Sequence, residues 1–135
     1  MKFEKIVFLM ITISICTVLI TTQLQTQDSI SVLVNNSGPY IGTAIPHDYG
    51  FDGSGIIISV IDTGVDFNHP DLLGLGLDGK IIGGYDFVDN DEIPQDSNGH
   101  GTQVAGIIAS NGNLKGIAPN SKILAYRVSE DGESV

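Results

Sequence analysis

Cysteine is nearly missing from this chain: among 135 residues there is only Cys16. It lies inside an apolar N-terminal run, so the rest of the chain has no thiol. Disulfides, cysteine-ligated zinc and thiol nucleophiles are thereby excluded beyond that run. Basic residues are scarce as well. Six lysines and arginines stand against sixteen aspartates and glutamates, a formal net charge of -10. Nucleic-acid binding needs a basic stripe to neutralise phosphates, and none is present. The acidic balance also repels anionic membranes and favours solubility. The apolar run itself, Ile6–Ile20, has fifteen uncharged residues. It falls short of the roughly eighteen or more expected of a full membrane span. Internal repeats are absent. At 41% hydrophobic and 16% charged, the composition excludes a disordered or fibrous chain. The length allows one small domain or part of a larger one.

What is present begins with Lys2 and Lys5 ahead of "IVFLMITISICTVLI". A basic start followed by such a run predicts a secretory signal peptide within residues 1–27. Uncharged residues continue to Gln27 and no A-x-A-like cleavage site is clear, so an uncleaved anchor through residues 6–20 stays open. Either reading places the remainder outside the cytoplasm, and membrane contact follows only if the segment is retained. Residues 28–40 read as a linker ending in "NNSGP", within which Asn35-Asn36-Ser37 fits a glycosylation sequon, a weak pattern.

From residue 41 onward the pattern changes. The turn "DGSG" (Asp52–Gly55) feeds "IIISVI" (Ile56–Ile61). A continuous β-branched run suits a strand buried on both faces, as in a parallel sheet. "KIIGGYDFV" (Lys80–Val88) predicts a second extended segment, and "KILAYRV" (Lys122–Val128) another strand. Between them "HGTQVAGIIAS" (His100–Ser110) has Val104, Ile107 and Ile108 at helical spacing, with Asn111-Gly112 as a stop. The carboxylates from Asp86 to Asp96 read as a solvated charge run rather than a metal site. Strand, strand, helix, strand gives an α/β fold. A parallel sheet with so few strands leaves an apolar edge and a half-covered face, so residues 41–135 look unfinished as a domain.

Two short stretches carry chemistry. Asp62 follows the first strand, where open α/β sheets place catalytic groups, although Asp-x-Gly is also a common turn. His100 stands between Gly99 and Gly101 at a helix start. The glycines permit a sharp turn and close approach of another chain. The positive end of the helix dipole disfavours an imidazolium, which suits a general base. A polar helix-start residue with no chemical task is the alternative. Together the two residues make a stronger case. An aspartate can hold one ring nitrogen of a histidine while the other takes a proton from a serine hydroxyl. The order Asp then His, with a serine to follow, is one of the known triad orders.

"VIDTGVDFNHPDL" (Val60–Leu72) resembles the aspartate motif of the subtilisin-like serine proteases, the subtilases, and "NGHGTQVAGIIA" (Asn98–Ala109) resembles their histidine motif. "GIAPNSKILAYRV" (Gly116–Val128) is similar to the segment that follows, and "GTAIPHDYGFDGSGI" to the entry of their catalytic domain. The resemblance implies a subtilisin-like three-layer α/β fold with a central, mostly parallel sheet, incomplete in this chain. It implies a serine endopeptidase acting on peptides or proteins, with Asp62 orienting and His100 as general base and acid, and no cofactor for the chemistry. It also implies a calcium ligand at Asp71, whose alternative is a loop carboxylate capping nearby backbone; "NGNLKG" is short for the family's partner loop.

The departures bear on activity. The family's Gly-Thr-Ser motif is absent: the serines after His100 are Ser110, Ser121, Ser129 and Ser134, in the contexts "ASN", "NSK", "VSE" and "ESV". Gln103 stands where the family usually has a second histidine. On its own, the chain is expected to be inactive. Two alternatives remain: an inactive remnant or binding module, and an aspartic protease of the retroviral type, whose active-site triplet "VIDTG" resembles. The latter leaves "GHGT" and "NHPDL" unexplained.

Overall fold

The computed structural model describes residues 38–72 and 74–132. The apolar run at 6–20, residues 28–37 of the expected linker and the sequon lie outside the described residues. Residues 38–41, the end of the expected linker and one beyond, are helical.

Three parallel strands form the sheet: β1 (Ile57–Asp62), β2 (Ile81–Asp86) and β3 (Lys122–Arg127). Their order is β1-β3-β2, so the last strand in sequence lies in the middle. Register pairs Ile58 with Ile123, Val60 with Ala125 and Asp62 with Arg127 on one side. On the other, Ile81 meets Ile123 and Asp86 meets Arg127. Asp62, Arg127 and Asp86 therefore lie in a row across the C-terminal end of the sheet. In a parallel sheet that end is where functional side chains gather.

Helix α1 (Ala44–Asp48) is a short surface turn with no buried residue. Helix α2 (His100–Ala109) packs on the sheet. Its buried residues are Gly101, Ala105 and Ala109, spaced four apart. Val104 and Ile108 are only partly buried at the edge of the core. Val104, Ile107 and Ile108, whose spacing suggests the helix, are not at the centre of its contact with the sheet. The structure puts small residues at the centre instead, because they let the helix axis lie close to the strands. The core comprises Val60, Val65, Leu72, Ile81, Ala105, Ala109, Ile123 and Ala125.

Strand β1, expected to be buried on both faces, is covered on one face by the described residues. Its burial alternates, and Ile57 and Ile61 are 57% and 66% exposed. It is an edge strand among the described residues, with helical cover on one face only.

Candidate active site

Asp62 ends β1 and His100 begins α2. The imidazole Nδ1 lies 2.7 Å from Asp62 Oδ1. The same oxygen accepts the Thr63 backbone N–H at 2.7 Å. Two donors on one oxygen fix the carboxylate's rotation, and the carboxylate in turn fixes the ring. The His100 side chain is 60% exposed and that of Asp62 only 16%. The far edge of the ring therefore faces outward, while the edge bonded to Asp62 is held.

Why this approach is so close follows from the two glycines. Gly99 takes φ +106°, a left-handed conformation open to glycine, and turns the chain into the helix. A Cβ on Gly101 would lie 2.1 Å from the Gly64 carbonyl oxygen and 3.1 Å from Asp62 Oδ1. Only a residue without a side chain lets the first turn of α2 sit on the strand end that carries Asp62.

The electrostatics reverse one expectation. The helix dipole alone disfavours the imidazolium. Instead the His100 pKa is raised, first by the hydrogen bond to Asp62, then by its charge, with a smaller contribution from Asp96. A full carboxylate charge at hydrogen-bond distance outweighs a partial charge spread over a helix end.

Sequence reasoning missed the cradle around the pair. The sequence suggests that Asp96 is one of a run of solvated carboxylates, yet it is 9% exposed. Its Oδ1 accepts the Thr63 hydroxyl and the amides of Asn98 and Gly99, each at 2.9 Å. Its Oδ2 accepts the Thr102 amide at 2.9 Å and the Thr102 hydroxyl. Burial pushes the Asp96 pKa up, but the bonds from Gly99, Thr102 and Asn98 bring it below its ordinary value, so it stays ionised. The available signal was an aspartate four positions before the histidine, a helix-capping residue type next to an Asn-Gly turn.

At the other end of the acidic stretch Asp86 is buried too, 2.8 Å from Arg127, whose second partner is Asp89 at 2.6 Å. Burial pushes Asp86 upward, but the Arg127 guanidinium and the amides of Asp89 and Val88 hold its pKa below the ordinary value. The solvated-run reading holds for Asp91 and Glu92, which are exposed, and fails at both ends.

Asp71 is apart from this site. It is 1% exposed, and its Oδ1 accepts the Asn113 amide at 2.6 Å. Its own amide donates to His69 Nδ1 at 3.2 Å. Its Oδ2 is buried with no hydrogen-bond partner. Among the described residues no group of three or more His, Cys, Asp or Glu side chains is placed to hold a metal. Calcium prefers about six to eight oxygens, so one open carboxylate oxygen is a thin donor set.

Ser121 donates its hydroxyl to the Ala118 carbonyl and Ser129 donates to Asp131. Ser110 is buried at the end of α2. None of these hydroxyls bonds to His100 among the described residues.

Residues 53–135 match the subtilase family of peptidases. The chain is 44% identical over 120 residues to the minor extracellular protease Vpr of Bacillus subtilis, covering 80% of this chain and 14% of that protein. It is 51% identical over 87 residues to thermitase of Thermoactinomyces vulgaris, covering 62% of this chain and 29% of thermitase. Among solved structures, a cold-adapted subtilisin-like serine proteinase superposes with a TM-score of 0.53 at 46% identity, over 63% of this chain and 29% of that one. The chain thus spans between about a seventh and a third of the length of these relatives.

Proposed function

The chain belongs to the subtilase family, and from that premise we propose that it supplies the aspartate and histidine of a subtilisin-type serine endopeptidase acting on peptides or proteins. The observation that carries this is the 2.7 Å contact between His100 Nδ1 and Asp62 Oδ1, with the ring's other edge exposed. In the proposed mechanism a serine hydroxyl attacks the scissile carbonyl and its proton passes to His100 Nε2. Asp62 keeps the Nδ1–H tautomer and stabilises the charged ring. The same proton then goes to the departing amine, leaving an acyl-enzyme. Water repeats the sequence, giving its proton to Nε2 and its hydroxyl to the acyl carbon, and the serine recovers its proton.

No serine after His100 carries the family's Gly-Thr-Ser context; Ser121 and Ser129 are engaged elsewhere, and Ser110 is buried at the end of α2. The nucleophile is therefore assigned to none of them, and the 135 residues alone are proposed to be inactive. Two carboxylates sharing a proton, as the retroviral-type reading requires, find no support here, because the partner of Asp62 is an imidazole.

For the domain organisation we propose a signal or anchor in 1–27 and a catalytic portion from residue 41. The basic-then-apolar start and the extracellular description of the Vpr relative favour export. No helix among the described residues is long and apolar enough to cross a membrane. The chemistry needs no cofactor. Asp71 is proposed as the carboxylate that ties the 111–116 loop. Structural calcium is the alternative, and a chelator that lowers the melting temperature would favour it.

The test is hydrolysis of a chromogenic peptide by the complete protein that carries these residues. His100→Ala should lower turnover by about 10⁶-fold, the figure known for subtilisin's own triad, with the fold intact. Retained turnover in a folded His100→Ala protein would overturn the assignment.

A further inference from the structure

We propose that Asp96 is a positioning residue, clamping the first turn of α2 to the end of β1 and so setting the His100 ring against Asp62. Its effect on turnover rests on the reading above; its geometry does not.

A helix start leaves several backbone N–H groups without intrahelical acceptors. The N-cap here is Gly99, which has no side chain to accept them. The acceptors come from elsewhere. The Gly99 and Thr102 amides donate to Asp96. The Gly101 amide donates to Thr63 Oγ1 at 3.0 Å, and the His100 amide to Asn98 Oδ1 at 3.2 Å. Asn98 is itself held by Asp96 through its amide. Thr63, the residue after Asp62, donates its hydroxyl to Asp96 while accepting from Gly101.

One carboxylate therefore joins the two pieces of chain that carry the pair. From Asp96 to Asp62 the path is the Thr63 hydroxyl and one residue of backbone. From Asp96 to His100 it is the amides on either side of the ring. Five donors meet on Asp96, two hydroxyls and three amides. Asp96 and Thr63 are buried, so the Thr63 hydroxyl does not find water easily if the carboxylate is removed. A helix cap acting only for stability would need the amides alone. The Thr63 hydroxyl and its relay to Gly101 add nothing to capping by Asp96; they register the helix on the strand. Thr102 extends the same network by accepting the Asp66 amide at 2.9 Å.

The charged groups facing His100 are Asp62 from β1 and Asp96 from the preceding loop, and both raise its pKa. Removing Asp96 has two effects in one direction. It loosens the ring's hold on Asp62, and it takes away a negative charge.

The experiment compares Asp96→Ala, Thr63→Val and Thr63→Ser with the wild type, in the complete protein. Two readings are taken: the low-field proton resonance of His100 Nδ1–H, and kcat and KM on a peptide substrate. Asp96→Ala and Thr63→Val are expected to shift or broaden away that resonance. They should lower kcat by about 100-fold, the scale of an ångström misplacement, with KM little changed. Thr63→Ser, which keeps the hydroxyl, should restore the resonance relative to Thr63→Val. Should Asp96→Ala fail to fold, Thr63→Val, which removes only a hydroxyl, decides alone. If the variants melt earlier but keep the resonance and the kcat of the folded fraction, Asp96 is a cap and the proposal is overturned. If the resonance behaves as expected but the wild type hydrolyses nothing, the positioning role stands and the protease reading falls.

Discussion

The two faces of the sheet differ sharply. On the face covered by α2, Val60, Ile123 and Ala125 are buried, and Asp62, Arg127 and Asp86 stand in register at its C-terminal end. On the opposite face Ile57 and Ile61 are more than half exposed. Next to them lie Leu124 and Tyr126 of β3, only half-buried. Both faces are apolar in sequence, yet only one is organised around a site. The difference is polar. The covered face ends in carboxylates, each met by a specific donor, and close approach is enforced by missing side chains. Among the described residues the open face has polar partners only at its edges, where Lys122 donates to the Gly79 carbonyl and the Tyr85 hydroxyl to Asn90 Oδ1, and neither contact touches the Asp62–His100 pair. Apolar content supplies a surface to bury, whereas the register of the Asp62–His100 pair comes from hydrogen bonds and glycine contacts.

Substitutions on either face can break or sharpen that contrast. The largest stability loss is expected for Arg127→Met. Asp86 is 1% exposed and would keep its charge with no cation beside it. Losing one partner of a buried pair costs about 3–5 kcal/mol. Urea unfolding of the complete protein measures it, and a loss below that of an ordinary surface change would show the pair to be dispensable.

Gly101→Ala should come next. Its Cβ would meet the Gly64 carbonyl at 2.1 Å, where backbone must move. Overpacking of this kind costs about 1–3 kcal/mol. Because the displaced segment carries Asp62, turnover should fall even in molecules that remain folded. Unchanged turnover would mean that the pair does not depend on this contact.

The smallest effect is expected for Ile61→Thr on the open face. It keeps a β-branched side chain and changes an exposed position, so the cost should stay within about 0.5 kcal/mol. A cost several times larger would show that this face is covered in the complete protein, and the contrast between the faces would disappear.

Much of this was legible in the residues. The strands at Ile57–Asp62, Ile81–Asp86 and Lys122–Arg127 lie within a residue or two of the runs that suggest them, because β-branched segments bounded by turns have few other options. The partnership of Asp62 with His100 was legible too, from chemistry and family resemblance together. What escaped was long-range. Asp96 and Asp86 look like neighbours in a charged loop, and only folding brings Thr63 and Arg127 to them, 33 and 41 residues away. The dipole argument for His100 failed for a similar reason. It weighed the helix the histidine belongs to and omitted the carboxylate that a different strand delivers. The spacing of Val104, Ile107 and Ile108 reveals the helix but not its buried centre, because the close contact with the sheet selects Gly101, Ala105 and Ala109.

The pH behaviour of His100 tests the central pairing most directly. A raised pKa means that the protonated ring is favoured by the fold. That stabilisation is complete below the ordinary imidazole pKa and is lost as pH rises through the raised value. In the proposed mechanism activity has the opposite sense, since the neutral ring that acts there as the base appears over the same rise. Titration of the His100 ring by NMR in the complete protein, with Asp62→Asn beside the wild type, reads the coupling itself. The account predicts a wild-type pKa above the ordinary imidazole value that drops when Asp62 loses its charge. A ring that titrates at its ordinary value, indifferent to Asp62→Asn, would contradict it.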